Sequence, residues 1–174
     1  MAIREIVTIP EPVLRRKARK VTDFGTKLQT LIDDMVETMR AAPGVGLAAP
    51  QVDVPLRVIV VEFADENEEE GEESIPPKLY TLVNPEITRP SKELFTGVEG
   101  CLSIPDLVGE VERPISVTLK GLTRQGQPTR IKAYGWLARI FQHEVDHLNG
   151  VLFTDRASSV WQPEEGTTQV VAAD

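Results

Sequence analysis

The sequence predicts an α+β fold in which antiparallel sheets pack around a central helix, with a second helix nearer the N-terminus. Two segments show helical periodicity, several are rich in β-branched residues, and a hairpin turn joins neighbouring strands. Strands on both sides of two separated helices favour this class over a doubly wound sheet. The length of 174 residues, 41% of them hydrophobic, predicts one domain over residues 1–174 with a sizeable core.

The N-terminal helix is predicted over residues 26–40. Its apolar residues follow the i, i+3, i+4, i+7 spacing of a helix that buries one face, namely Leu28, Leu31, Ile32, Met35 and Met39. Pro43 and Gly44 come next, and proline does not continue the backbone hydrogen bonding of a helix. We therefore expect the helix to end just before them.

Strands are predicted over residues 57–61, 79–87, 111–122 and 129–134. Pro114 indicates an edge or a bulge in the third strand. A hairpin turn is predicted at residues 124–127, between the third and fourth strands. The central helix follows over residues 136–148, with Gly150 at its C-terminal stop and an apolar stripe made by Trp136, Leu137, Ile140, Phe141 and Leu148.

The net charge of −8 comes from one segment. Eight of the 27 acidic residues lie between Glu62 and Glu73, and the other 19 balance the 19 basic residues. We predict a solvated acidic loop insertion over residues 62–77 and a loose C-terminal tail over residues 156–174. We expect no membrane partner and no sequence-specific binding of nucleic acid.

The sequence also bears on location. It has no apolar run of about 18 residues, and no apolar segment follows the charged residues at its N-terminus, so neither a transmembrane helix nor a secretory signal is expected. The single cysteine, Cys101, fits a reducing compartment. We expect a cytoplasmic location, or the stroma or matrix of an organelle if the chain is a processed mature form.

The segment His143-Glu144-Val145-Asp146-His147 contains both histidines of the chain. In a helix these two residues lie at i and i+4 on one face, where two imidazoles can bind a single metal ion. Glu144 then lies beside that metal, where a carboxylate can take a proton from a bound water. The segment predicts metal-assisted hydrolysis and makes the central helix a metal-binding helix.

Such a site usually has three protein ligands and an open position for water. A downstream histidine, as in one clan of metalloproteases, is excluded because Phe153 occupies its position. A downstream carboxylate would be Asp155, Glu164 or Glu165. The thiolate of Cys101 is a strong ligand for zinc or ferrous iron, and its segment is rich in glycine. The residues by themselves leave the carboxylates and the cysteine open.

Three segments together resemble the peptide deformylase family. In chain order they are Gly44–Gln51, Glu99–Ser103 and Gln142–Gly150. The first is small, apolar and rich in glycine and ends in an amide, and the second contains Cys101. The third contains the two histidines. Their polar positions all match the motifs of the family, and three matches in the same order are a specific signal.

The resemblance implies a ligand set, a metal and a reaction. Cys101, His143 and His147 would bind one divalent metal ion, with water as the fourth ligand. Fe2+ is the metal expected in the cell, and Zn2+, Ni2+ or Co2+ can occupy such a site in purified protein. The substrate would be the N-formyl group on the initiating methionine of new polypeptides. Formate and a free α-amine would be the products.

The resemblance also implies roles for residues outside the ligand set. Glu144 would act as general base, and the side-chain amide of Gln51 and the backbone N–H of Leu102 would stabilise the oxyanion. The residues expected to bind the peptide are Val45, Gly46 and Gly100 through their backbones, and Leu137 and Ile140 as walls of the methionine pocket with the stem of Arg139 nearby. We further expect Glu99 to pair with Arg113 and to hold the strand of Cys101 in place.

Two other interpretations remain at this stage. A thermolysin-like metallopeptidase would use Asp155 or Glu164 as third ligand and would cleave internal peptide bonds. A structural metal module would need four protein ligands, whereas the sequence offers three good ones. Nascent formyl-methionyl peptides are the expected partners, with a transient ribosome contact. The tail after Asp155 does not resemble the basic helix by which some bacterial deformylases engage the ribosome.

Overall fold

The computed structural model describes residues 2–64 and 76–163. Within these ranges the chain forms two long α-helices, one short α-helix, two short 3-10 helices and eight strands. The helices are α1 (Thr26–Ala41), α2 (Gly135–Leu148) and α3 (Phe153–Arg156). The strands are β1 (Gly46–Ala48), β2 (Val58–Phe63), β3 (Lys78–Ile87), β4 (Leu94–Cys101), β5 (Ile104–Pro114), β6 (Ser116–Leu122), β7 (Pro128–Tyr134) and β8 (Ser159–Trp161).

The strands form two antiparallel sheets. One has five strands in the order β1-β2-β3-β6-β7, and the other has three in the order β4-β5-β8. The predicted α+β class with antiparallel sheets is therefore confirmed. Strand β1 is at one edge of the first sheet and β4 is at one edge of the second, so each has one side without a neighbouring strand in the described part of the chain.

Helix α1 follows the prediction closely. It extends one residue beyond the expected end, and its apolar face packs against β1 and β2. Met35 and Met39 are fully buried in the core beneath it. The strict helical spacing of its apolar residues is the reason that the sequence locates this helix so well.

Helix α2 is buried on nearly all sides. Every residue in it except Trp136 is buried, and it contacts strands of both sheets, namely β1, β2, β3, β6 and β7 of the first and β4 and β5 of the second. One face joins the core of the five-stranded sheet, where Leu137, Ile140 and Phe141 lie. Among the described residues, no helix has the length and apolar character needed to cross a membrane.

The prediction of one strand over residues 111–122 is wrong. The segment belongs to two strands of different sheets, because β5 ends at Pro114 and β6 begins at Ser116. Proline removes a backbone donor, and the chain passes here from one sheet to the other. Strand β4 was not predicted at all, since Gly97 and Gly100 lower its β-propensity.

The predicted acidic loop and loose tail differ from the structure at their edges. Glu62 and Phe63 belong to β2, and residues 65–75 lie outside the described residues. In the tail, Ser159–Trp161 forms β8 and pairs with Val108–Glu110 of β5, so the prediction of a loose tail is wrong for these residues. Residues 164–174 lie outside the described residues.

Candidate metal centre

The metal-binding residues predicted from the sequence converge. Cys101 is the last residue of β4, and His143 and His147 lie one turn apart on α2. One ligand atom from each residue lies within 4.8 Å of the other two, and all three side chains are buried. The Sγ of Cys101 is 3.3 Å from Nε2 of His147. The structure thus brings together a set of one sulfur and two nitrogen ligands suited to zinc or ferrous iron.

Asp155 is the candidate carboxylate that lies among the described residues, and it is engaged in other contacts. Asp155 accepts hydrogen bonds from Arg15 at 2.5 Å and from the backbone of Leu152 at 3.0 Å, which orients it to cap α3. Glu164 and Glu165 lie outside the described residues. Within the described ranges, the three-residue group that could hold a metal is the one with Cys101.

Each histidine has a ring nitrogen available to bind a metal. Nδ1 of His143 is 2.8 Å from a carboxylate oxygen of Glu99, which leaves Nε2 buried and without a hydrogen-bond partner among the described residues. Burial, and then the neighbouring His143, hold the pKa of His147 well below its usual value, so this imidazole is neutral. A neutral imidazole with an accessible lone pair is the ligand form of histidine, and the donor set therefore fits a divalent metal.

Glu144 lies against the edge strand of the first sheet. Its side chain is fully buried, and β1 passes close beside it. A Cβ added at Gly46 would lie only 2.5 Å from Oε2 of Glu144. Gly46 is therefore required for this close approach, and the backbone of β1 borders the carboxylate.

Gln51 is oriented by two sets of contacts. Its Oε1 accepts a hydrogen bond from the backbone N–H of Ala48 at 3.0 Å. Its Nε2 donates to Oγ of Ser103 at 3.2 Å and lies 3.6 Å from Sγ of Cys101. The amide N–H groups thus point toward the sulfur of Cys101. Leu102 is half-buried in the turn between β4 and β5.

The predicted pair between Glu99 and Arg113 is present. Arg113 donates to both carboxylate oxygens of Glu99, at 2.6 and 2.9 Å, and also to Asp146 at 2.9 Å. Burial acts to raise the pKa of Glu99, but the hydrogen bonds from Arg113 and His143 outweigh it and hold this pKa well below its usual value. Glu99 is therefore an anion at neutral pH, and it orients His143.

Sequence reasoning missed the rest of this network. Arg139 also donates to Glu99, at 2.5 Å, and Arg156 donates to both oxygens of Asp146, at 2.6 and 2.9 Å. A signal was available, because Arg139, His143 and Asp146 are spaced i, i+4 and i+7 along α2 and so share one face. Polar residues in a row on a buried helix indicate a shared function.

The residues expected to bind the peptide lie in two settings. Gly46 and Gly100 are buried on the edge strands β1 and β4, and Val45 is half-buried just before β1 with its carbonyl accepting a hydrogen bond from Glu62 at 2.9 Å. Leu137 and Ile140 are fully buried in the core of the five-stranded sheet. Their role as walls of the methionine pocket stays a prediction.

Comparisons with known proteins agree with this site. The sequence model of the polypeptide deformylase family matches residues 3–162. A peptide deformylase from Natranaerobius thermophilus is 46% identical over 165 residues, which cover 95% of this chain and 99% of that protein. One from Symbiobacterium thermophilum is 51% identical over 160 residues, 92% of this chain and 69% of that protein.

Solved structures of two other peptide deformylases have the same fold. The Ehrlichia chaffeensis enzyme superimposes with a TM-score of 0.82 at 38% identity, covering 91% of this chain and 89% of that one. The Thermotoga maritima enzyme superimposes with a TM-score of 0.80 at 38% identity, covering 91% of this chain and 100% of that one.

Fold, ligand set and relatives define the class of protein as a metal-dependent hydrolase. The chain belongs to the polypeptide deformylase family. It is an enzyme that removes the N-formyl group from newly made polypeptides.

Proposed function

We propose that Cys101, His143 and His147 bind the catalytic metal ion, and that α2 is the central metal-binding helix of the fold. The observation that carries this proposal is the convergence of one sulfur and two nitrogen ligands within 4.8 Å beside a fully buried Glu144. Fe2+ is the metal proposed for the cell, because thiolate and imidazole suit it, and Zn2+, Ni2+ or Co2+ can take its place in purified protein.

Glu144 and Gln51 supply the proton and hydrogen-bond chemistry. A divalent metal held by Cys101, His143 and His147 would lower the pKa of a coordinated water and would polarise the formyl carbonyl. Glu144 is the general base in this proposal: its carboxylate would take a proton from the attacking water and return it to the amine nitrogen as the C–N bond of the formamide breaks. Nε2 of Gln51 and the backbone N–H of Leu102 donate hydrogen bonds to the developing oxyanion.

The edge strands β1 and β4 are proposed to hold the peptide. Gly46 of β1 and Gly100 of β4 offer backbone groups next to the ligands, and Val45 adds to them from its position before β1, so that an extended peptide can bind as an added strand. Leu137 and Ile140 are proposed to wall the methionine pocket. Residues 1–174 act as one catalytic domain in this proposal, and the acidic loop and tail take no part in the chemistry.

The metallopeptidase alternative is not favoured, since Asp155 is engaged with Arg15 and Cys101 lies at the histidines. A transient ribosome contact stays a prediction.

The deciding experiment is formate release. Protein prepared without oxygen and loaded with Fe2+, Ni2+ or Co2+ is expected to release formate from formyl-methionyl peptides and to leave their internal bonds intact. No release with any of the three metals would overturn the proposal. Cys101→Ser is expected to lose metal, and full metal retention with cleavage of internal bonds would favour the peptidase instead.

A further inference from the structure

The proposed metal ligands come from two different elements, so their spacing depends on how those elements pack. Cys101 lies on β4, and His143 and His147 lie on α2. No covalent link close to the site joins the two. A small shift of α2 along or away from β4 would change the distances between sulfur and nitrogen, and metal geometry is sensitive to such shifts.

Arg139 connects α2 to two strands of the three-stranded sheet, β4 and β5. Its side chain is fully buried, with a solvent-exposed fraction of 0%. It donates to the carbonyl of Phe95 on β4 at 2.7 Å and to the carbonyl of Val111 on β5 at 2.8 Å. It also donates to Oε2 of Glu99 at 2.5 Å, and the other oxygen of Glu99 contacts His143.

Two aromatic rings and a glycine fix the position of this guanidinium. Its central carbon lies 4.3 Å from the ring centre of Phe95 and 5.3 Å from that of Trp136. A Cβ at Gly97 would lie 2.9 Å from both Nε of Arg139 and the Trp136 ring. Phe95, Gly97 and Glu99 alternate along β4 and so share the face that meets α2.

Arg139 is more than a counter-ion for Glu99. Arg113 already donates to both oxygens of that carboxylate. Arg139 adds the two backbone carbonyls, which carry no formal charge but belong to the strands of the metal site. A planar guanidinium can reach all three acceptors at once, whereas a lysine ammonium has neither the fork nor the flat faces.

We propose that Arg139 is a positioning residue for the deformylase reaction: it holds α2 against β4 and β5 at the spacing that the Cys-His-His site needs, and it helps Glu99 to orient His143. This inference rests on the proposed metal site. Arg139 touches neither metal nor formyl group in this role and acts through Glu99 and the two strands.

Two variants test the inference from opposite sides. Arg139→Lys keeps the positive charge but removes the planar guanidinium with its several donors. Gly97→Ala leaves Arg139 in place but adds a methyl group on β4 that collides with its side chain. Both are expected to lose metal to a chelator about 10- to 100-fold faster than wild type, the range for residues that orient metal ligands. Both should also change the visible spectrum of the Co2+ form. Both should lower kcat, while KM changes by a smaller factor.

Two matched substitutions control for stability alone. Arg124→Lys alters an arginine that ties α1 to the segment between β6 and β7, and Gly121→Ala adds a Cβ 3.2 Å from a backbone carbonyl in the other sheet. Both are expected to keep the wild-type rate of metal loss and the Co2+ spectrum, whatever their Tm.

The outcomes separate this inference from the proposed function. If wild type binds one metal and releases formate, but Arg139→Lys and Gly97→Ala keep the wild-type spectrum and rate of metal loss, the positioning role is overturned. The positioning role is also overturned if the rate of metal loss in all four variants depends only on their Tm. If Arg139→Lys does not fold, Gly97→Ala decides. A wild type without metal binding or formate release overturns the proposed site itself.

Discussion

The two long helices of this protein differ in the kind of side chains that they bury. Helix α1 buries one face, which is mostly apolar, and its buried Asp34 and Thr38 accept hydrogen bonds from the N-terminal segment. Helix α2 is buried on nearly every side, and six of its buried residues are polar or charged, namely Arg139, Gln142, His143, Glu144, Asp146 and His147.

The difference separates stability from function. Apolar burial under α1 stabilises the fold through the hydrophobic effect. Buried charges such as those around α2 are weak evidence for stability, because desolvation offsets most of their attraction. We infer that the polar interior of α2 exists for the metal site, and that α1 supports the sheet on which the site is built. Substitutions in the two helices should therefore affect different measurements.

Glu144→Gln should give the largest effect on activity. The amide keeps the size of the side chain but cannot take a proton, so kcat should fall about 100- to 10,000-fold. Metal content and Tm should stay close to wild type, because Glu144 is not a proposed ligand. Formate release at saturating substrate measures the effect. A variant with kcat within threefold of wild type would remove Glu144 as the general base.

Glu99→Gln should damage both stability and metal binding. Removing one partner of a buried ion pair typically costs about 3–5 kcal/mol, here because Arg139 loses its anion and Arg113 keeps only its pair with Asp146. Metal affinity should fall about 10- to 100-fold, because the amide that replaces the carboxylate is a weaker, uncharged acceptor for His143. Urea unfolding and a competitive metal titration measure the two effects.

The same variant has a pH signature. The pKa of Glu99 in the folded protein lies below its ordinary value of 4.5. Its contribution is therefore complete above that value and is lost as the pH falls from there through the folded pKa. Wild-type stability should decline over this acid range, and the decline should be shallower in Glu99→Gln. Parallel curves for the two proteins would contradict the assignment.

Met35→Ala tests the other side of the comparison. Met35 is fully buried beneath α1, and truncation of such a side chain costs about 2–5 kcal/mol. The protein should unfold at lower urea, while kcat per bound metal and the rate of metal loss at 25 °C stay unchanged. A loss of metal binding in step with the loss of stability would show that α1 and α2 are coupled and would break the comparison.

The sequence predicts the helices better than it predicts the contacts between them and the strands. Helix α1 was predicted to within one residue of its end, and α2 to within one residue of its start, since both patterns depend on residues close in the chain. The two histidines were placed together for the same reason, at i and i+4. Strand β4 was missed because its glycines at 97 and 100 have low β-propensity.

The contacts between α2 and β4 could not be predicted from residues alone. Cys101 is 46 residues from His147, and Glu99 is 40 from Arg139. Whether such residues meet depends on the packing of two elements, which local periodicity does not encode. The residues alone left Cys101 and the carboxylates of Asp155, Glu164 and Glu165 open as third ligand, and the resemblance was needed to favour the cysteine.

Arg124→Ala should give the smallest effect and sharpens the comparison with Arg139. Both arginines tie a helix to the strands, but Arg124 is partly exposed, and donates to Gln29 and to Asp33 of α1. Exposed ion pairs contribute about 0–1 kcal/mol because water and salt screen them. The loss should shrink further at high salt, and kcat and metal retention should not change. A loss of stability as large as that of Glu99→Gln would contradict the comparison. It would mean that the exposed charges around Arg124 contribute as much to stability as the buried charges around Glu99.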